Sequence, residues 1–412
     1  MMRVLFVTNT FPPDYTGGAE VSLYHTCRGL MAAGVTCRVL HVNNRRQAAG
    51  DDRYSVDGIP VRRVQFDSHR IWQDILDRRT VEVVRQEIRR FRPDLVHVHN
   101  VSGSSLAPFV ACRAEHAPVV NTLHDHWLLC PNNMLYRQDG STCDPAAHPD
   151  GCGQCFRRYD YWAPVPYRRR LFARLTANVR FFISPSQALI AQHVAAGYAP
   201  GRFRCVRHGI EDRPIPPADQ LSGPVAAACS AAQTRPTLLF AGGGVEIKGA
   251  QTVLDALPAL ATALDGLQLI VAGGGDDPIL RRFRRHAPAA QVLGPVPFQQ
   301  MRALYAAADL VLLPSVVPES FSMVVYEAFQ AGAPAVGAAI GAVPELIAHD
   351  MRGYLFPPGD AGALAAQAAA HFAKPAHERR RMRHACREFV VGQLSLANHI
   401  TALQRVYQEA LA

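Results

Sequence analysis

Short apolar runs and helical repeats alternate along this chain. Val4–Thr8 is apolar enough for a buried strand, and the proline- and glycine-bearing stretch from Phe11 to Gly18 reads as a loop. Ala19 to Ala33 carries apolar residues at helical spacing, Gly34 stops it, and Val35 to Val42 is the next strand. The alternation continues with a charged amphipathic helix over Arg70–Phe91, broken at Pro93-Asp94, and a strand over Leu95–His99. A helix near Ser105–Glu115 and a strand over Val119–Leu123 follow. Beyond a loop-rich stretch come a strand at Phe181–Ile183, a helix at Ser186–Gly197 and a strand at Arg204–Val206. Strand, loop and helix in repetition predict a doubly wound α/β domain.

Proline, glycine and alanine dominate 213–236, which reads as a linker. A second alternation starts at Thr237: strands over Thr237–Ala241, Leu267–Ala272 and Asp309–Pro314, helices over Gln251–Leu264, Met301–Ala308 and Met323–Gln330. The composition from Ala361 to Ala412 is helical. The pattern predicts an N-terminal Rossmann-like domain over 1–212 with a cysteine-rich insertion at 130–155, a C-terminal domain over 237–390, and a terminal helix over 391–412.

One stretch stands out: Pro318-Glu-Ser-Phe-Ser-Met-Val-Val-Tyr-Glu-Ala328, between an apolar strand and a helix stopped by Ala331-Gly332-Ala333-Pro334. A helix N-terminus after a strand offers unpaired amides and a positive dipole end to an anion. Glu319 flanks that point in the loop, and Glu327 lies in the helix. Read alone, the pair is equally a capping Glu and a surface Glu. The whole segment, with Gly341-Ala-Val-Pro-Glu345 after it, resembles the signature of glycosyltransferase family 4, retaining nucleotide-sugar-dependent enzymes of the GT-B fold.

That resemblance implies two Rossmann-like domains facing across a cleft, the donor held chiefly by the second. It gives Glu319 the donor sugar hydroxyls, Glu327 the ribose, and the Phe321, Ser322 and Met323 amides the diphosphate. Lys248, in Gly242-Gly-Gly-Val-Glu-Ile-Lys-Gly249, matches the family's diphosphate lysine; the spacing is not that of a Walker A loop. Gly17 and Gly18 match a donor- or acceptor-side loop, and their spacing carries no G-x-G-x-x-G fingerprint. His124, at the end of its strand, matches the family histidine beside the reacting carbon. Two positions depart from the family. Gly243 stands where an arginine is usual, which removes a bidentate phosphate contact. Ser322 stands where glycine is common. With no Asp-x-Asp pair near these residues, no catalytic metal is expected.

Composition adds to the picture. The 412 residues are 49% hydrophobic and 19% charged, which suits full cores, and the net charge of +9 favours acidic partners such as a nucleotide sugar. No uncharged apolar run reaches about 18 residues, and the opening Met-Met-Arg-Val-Leu-Phe-Val-Thr is too short for a secretory h-region, so the expectation is a cytoplasmic protein, with peripheral contact at the inner membrane face as an option. The basic, aromatic segment from Phe156 to Arg180 supports that contact or a lipid-diphosphate acceptor; its bland reading is a solvated basic helix. No recognised nucleic-acid module accompanies it. Of the ten cysteines, Cys130, Cys143, Cys152 and Cys155 form a candidate four-thiolate structural zinc site; an iron–sulfur cluster, a redox pair or four unrelated thiols are the alternatives. The acceptor is expected to be a glycan, a lipid-linked molecule or a small molecule. A glycoside hydrolase using Glu319 and Glu327 explains neither Lys248 nor the glycine loops. A non-catalytic sugar-nucleotide or glycan-binding protein on the same scaffold is the other alternative, and Gly243 is its motive.

Overall fold

The computed structural model describes residues 1–14, 17–43, 49–68, 71–102, 104–137, 139–144, 165–242, 246–274 and 278–412, with backbone alone at 71–72 and 165–167. These residues form two compact units, Met1–Gly209 with Leu396–Ala412, and Ile210–Ser395.

The first unit is built on eight strands: β1 (Arg3–Thr8), β2 (Thr36–Asn43), β3 (Gly50–Val56), β4 (Ile59–Gln65), β5 (Leu95–Val98), β6 (Val119–Thr122), β7 (Val179–Ser184) and β8 (Phe203–Cys205). Their order is β3-β4-β2-β1-β5-β6-β7-β8, parallel throughout except that β3 runs antiparallel to β4. The sheet is buried on both faces, so its central strands are apolar on both sides.

The β3–β4 hairpin was not among the expected elements. Its charges pair within and beside it: Arg62 with Asp51 at 2.7 Å and Glu87 at 3.2 Å, Arg63 with Asp52 at 3.0 Å. Such residues hide the period of two that marks a strand. The expected helix over Arg70–Phe91 is shorter, Arg78–Phe91, because the Asp77 side chain accepts from the Arg79 amide at 2.9 Å and starts it there. Ile71–Asp74 is a separate 3₁₀ turn.

The second unit holds β9 (Thr237–Ala241), β10 (Gln268–Ala272), β11 (Gln291–Gly294), β12 (Leu310–Leu313), β13 (Ala335–Ala338) and β14 (Gly353–Phe356). The order is β11-β10-β9-β12-β13-β14, all parallel. This is the six-strand doubly wound arrangement in which chain order reverses beside the first strand, here between β9 and β12; in the first unit the reversal lies between β1 and β5. Within 213–236, Gly223–Ala231 is a helix with Pro224 in its first turn, and Val225 and Ala228 are buried in the second unit's core. The helical C-terminal region is three helices, Ala361–Ala373, Ala376–Gln393 and Leu396–Leu411; the last packs on the Gly18–Ala32 helix of the first unit. Among the described residues no helix is long and apolar enough to cross a membrane.

Candidate functional site

In an open α/β sheet, ligands gather at the carboxyl ends of the strands where chain order reverses. In the second unit that place is the end of β9 and β12, and the loops leaving those strands carry Lys248 and Glu319. Lys248 closes a 3₁₀ turn, Glu246–Lys248, and its Nζ lies 2.7 Å from Glu319 Oε1. The same carboxylate oxygen accepts from the Ser315 hydroxyl at 2.5 Å. Two glycines allow these loops to approach. Gly249 has φ +79°, and a Cβ there would sit 1.8 Å from the Pro314 carbonyl oxygen. Gly341 has φ +57°, and a Cβ would fall 2.5 Å from the Glu319 backbone nitrogen and oxygen. Glu319 is further tied by its carbonyl, which accepts from the Ala342 amide at 2.8 Å.

The helix expected after Glu319 spans Met323–Gln330, and Ser322 is its N-cap with extended backbone. The Ser322 side chain is buried and makes no capping bond, while Phe321 and Met323 are half-buried. Glu327 lies one turn in. Tyr305, on the helix Phe298–Ala307, lies beside the Glu327 carboxylate, and burial pushes that carboxyl up to about 7, with Tyr305 and the Arg302 charge pulling the other way. Gly243 lies outside the described residues, as do Cys152 and Cys155.

The first unit presents a different chemistry at its own carboxyl ends. Gly17 is the N-cap of the helix Gly18–Ala32 in the loop after β1, with extended backbone at φ −174°. His124 follows β6 and is buried. Its Nε2 lies 2.9 Å from His99 Nδ1, and its ring stacks on His208 at 5.2 Å and 9°. His208 Nδ1 meets the Ser22 hydroxyl at 2.8 Å. His399 donates from Nδ1 to the Arg207 carbonyl at 2.8 Å, and its Nε2 lies 3.0 Å from the Thr26 hydroxyl, which also donates to the Ser22 carbonyl at 2.8 Å. Burial holds these rings neutral: it lowers His124 to about 3 and His399 to about 4, and puts His99 and His208 well below the ordinary value.

Sequence reading singled out His124 alone from this group. The His97-x-His99 pair was a usable signal, since strand alternation places both rings on one face; they lie 4.2 Å apart by ring centroid. His208 and His399 come from distant parts of the chain and carry no local signal. Ser315, Tyr305 and Arg302 were missed in the same way.

Cys130 and Cys143 share a small apolar cluster with Leu129 and Leu135. Burial pushes the Cys130 thiol up, and its Sγ donates to Asn132 Oδ1 at 2.6 Å. Among the described residues no three His, Cys, Asp or Glu side chains gather as a metal site. In the basic segment, Arg168 of the helix Val165–Leu175 is not on a solvated face. It is buried over the Phe172 ring at 3.9 Å and donates to the Trp127 and Leu128 carbonyls.

Comparison with known proteins agrees with this architecture. The family model described as Glycosyltransferase Family 4 matches residues 16–213, and that described as Glycosyl transferases group 1 matches 235–373. The chain is 35% identical over 131 residues to a phosphatidyl-myo-inositol mannosyltransferase of Mycobacterium leprae, an alignment covering 31% of this chain and 35% of that one. With the glycogen synthase of Mycobacterium tuberculosis it is 26% identical over 99% of its own length and 95% of the relative's. Among solved structures, Anabaena HepE in complex with UDP superposes with a TM-score of 0.70 at 18% identity, covering 99% of this chain and 100% of that one. Sucrose-phosphate synthase from Thermosynechococcus elongatus gives 0.72 at 17%, with 99% of both chains covered. The fold is GT-B. The chain belongs to the glycosyltransferases, with a glycosyltransferase family 4 domain followed by a glycosyl transferases group 1 domain.

Proposed function

We propose that this protein is a retaining glycosyltransferase that moves a sugar from a nucleotide-sugar donor to a glycan, lipid-linked or small-molecule acceptor. The observation that carries the proposal is the Lys248–Glu319 pair at the β9/β12 reversal of the second unit, beside the N-terminus of the helix that bears Glu327. In this reading Lys248 and the amides of Phe321, Ser322 and Met323 stabilise the departing diphosphate, the largest electrostatic task of the step. Glu319 accepts from the sugar hydroxyls and Glu327 from the ribose, while Gly17 and Gly18 let the protein backbone come close to the donor phosphate or the acceptor. His124 acts beside the reacting carbon as a neutral ring, which suits hydrogen bonding to a hydroxyl. The acceptor oxygen bonds to the anomeric carbon on the face the diphosphate leaves. The bond to the phosphate oxygen breaks, and that oxygen takes the acceptor's proton, so the anomeric configuration is kept. UDP and UDP-glucose are bound in HepE structures, which makes uridine nucleotides the first donors to try.

Calorimetry with UDP, GDP and ADP and their glucose forms tests the donor site. One nucleotide class is expected to bind, and Glu327→Ala to weaken it by about 1.5–3 kcal/mol, the worth of a charge-assisted hydrogen bond. Unchanged affinity in that variant removes the ribose role. His124→Ala and Glu319→Ala are each expected to lower turnover by roughly 10²-fold or more with the fold intact. An inverted anomeric centre in the product, read by NMR, rejects retention even where transfer occurs; nucleotide-sugar binding without turnover points to a binding protein.

The four-cysteine zinc site is proposed on the same footing, supported by the shared cluster of Cys130 and Cys143. Purified protein is expected to carry about one equivalent of zinc, and Cys155→Ser to lose it together with local stability. Metal-free protein that is folded, with four titratable thiols here, rejects it, and a coloured preparation assigns iron and sulfur instead.

A further inference from the structure

Ser315, two residues past the end of β12, is fully buried, and the reading above gives it no task. A buried hydroxyl needs an acceptor, and here the acceptor is charged: Ser315 Oγ donates to Glu319 Oε1 at 2.5 Å. Lys248 Nζ reaches the same oxygen at 2.7 Å. Among the described residues nothing donates to Glu319 Oε2. The Glu319 side chain keeps 10% of its surface, so Oε2 is the oxygen with which the carboxylate faces outward. The backbones at both ends of the Ser315–Glu319 bond are fixed. Val316 donates its amide to the Ile247 carbonyl at 3.0 Å, which ties the end of β12 to the turn that carries Lys248. The Glu319 carbonyl takes the Ala342 amide at 2.8 Å, and Gly341 packs against the Glu319 backbone too closely for a Cβ. Only the rotation of the Glu319 side chain is left to settle.

We propose that Ser315 is a positioning residue of the donor site: its hydroxyl anchors Oε1 of Glu319 and so presents Oε2 to the hydroxyl groups of the donor sugar. The inference rests on the sugar role given to Glu319. Its physical basis is the difference between the two donors on Oε1. An ammonium is a compact charge on a flexible stem with three rotatable N–H groups, and it can hold either carboxylate oxygen. Ser315 offers a single O–H on a short side chain whose backbone is locked, so it selects one oxygen. With Oε1 held by Ser315, Lys248 can turn its remaining N–H groups to the diphosphate while the carboxylate keeps its direction. Recognition of the sugar then depends on Ser315, and recognition of the diphosphate does not. That separation distinguishes positioning from packing, because a hydroxyl that only braces the loop would disturb both.

The test uses the full chain. UDP, GDP, ADP and their glucose forms are titrated by calorimetry into wild type, Ser315→Ala and Ser315→Thr. In parallel, selective ¹³C labelling of Glu side chains follows the Glu319 carboxyl signal, assigned by its loss in Glu319→Ala. In Ser315→Ala that signal is expected to move. Affinity for the nucleoside diphosphate that binds wild type stays within about twofold, whereas affinity for its glucose form falls about fivefold to tenfold, the effect of losing one hydrogen bond to a charged group. Ser315→Thr restores the hydroxyl and returns both the signal and the affinity. Ser315→Cys, whose thiol is a weak donor, replaces the Ala variant should that one not fold. Equal losses for the nucleotide and its glucose form give Ser315 a purely structural role and overturn the proposal. A Glu319 signal that stays in Ser315→Ala overturns it whatever the nucleotides do. A signal that moves while Glu319→Ala binds the glucose forms as wild type rejects the sugar role of Glu319 and not the anchor.

Discussion

The two units use the same sheet logic and opposite electrostatics. Each places its candidate residues at or beyond the carboxyl ends of its parallel strands. In the first unit those residues are imidazoles packed against one another, His97, His99, His124 and His208, and burial strips them of charge. In the second they are a lysine and a glutamate in direct contact and a glutamate poised near neutrality. Backbone topology thus supplies a place, and side chains decide what the place can hold. Neutral rings suit hydroxyl groups, whose hydrogen bonds need no counter-charge; a lysine beside helix amides suits a diphosphate.

Acid pH should pull the two units apart, and by the largest margin. Seven imidazoles of the first unit, His41, His97, His99, His124, His193, His208 and His399, have folded values lowered chiefly by burial. A lowered histidine binds fewer protons folded than unfolded, so its stabilising contribution is present above about 6.5 and is lost as pH falls towards the folded value. Between pH 7.5 and 5.5 each ring held neutral costs about 1.4 kcal/mol. The second unit has one such ring, His371, lowered to about 4. Against it stands Glu327, raised to about 7, whose contribution is full below the unfolded value, is lost as pH rises through 7, and so grows on acidification. The two nearly cancel. All three tryptophans of the sequence precede Ile210, where the second unit begins, and Trp127 is buried in the first unit, so tryptophan fluorescence is the probe for that unit. The urea midpoint by tryptophan fluorescence should fall sharply from pH 7.5 to 5.5. Amide exchange in β9 and β12, corrected for the intrinsic pH effect, should change little. A common fall in both removes the distinction drawn here.

That contrast was only partly legible in the sequence. The second unit's site sits on consecutive local features, a strand, a loop and a helix, so spacing alone placed Glu319, Ser322 and Glu327 correctly relative to the elements around them. Lys248 was singled out only by the family resemblance of its glycine loop. Arg302 and Tyr305 were not, because one helix face becomes part of a site only when another helix packs on it. The first unit's cluster gathers from β5, the loop after β6, the segment after β8 and the C-terminal helix, and sequence separation hides such an assembly. His399 lies in that C-terminal helix, and its bond to Thr26 joins residues 373 positions apart. The β3–β4 hairpin failed for a different reason: an edge of the sheet is charged, and its ion pairs carry no apolar period. Within 213–236, proline and alanine suit an irregular stretch, yet tertiary burial of Val225 and Ala228 holds a helix there.

The smaller effect sharpens the comparison from the second unit's side, because its site depends on backbone packed against backbone. Gly249 follows Lys248 directly and adopts φ +79°, where a side chain is strained by roughly 1–2 kcal/mol. The added methyl would also meet the Pro314 carbonyl oxygen at 1.8 Å and its carbon at 2.6 Å. Neither atom can rotate away, so the loop bearing Lys248 or the end of β12 must shift, and overpacking of this kind costs about 1–3 kcal/mol more. Gly249→Ala is therefore expected to lower stability by about 2–5 kcal/mol in the second unit only. Displacing Lys248 from Glu319 should also remove most nucleotide affinity, since the lysine's placement and not its charge is what changes. The tryptophan transition of the first unit should stay where it is. Gly249→Ala that binds nucleotide as wild type with β9 amides fully protected would show that the loop has slack, and that the Lys248–Glu319 contact does not depend on the glycine.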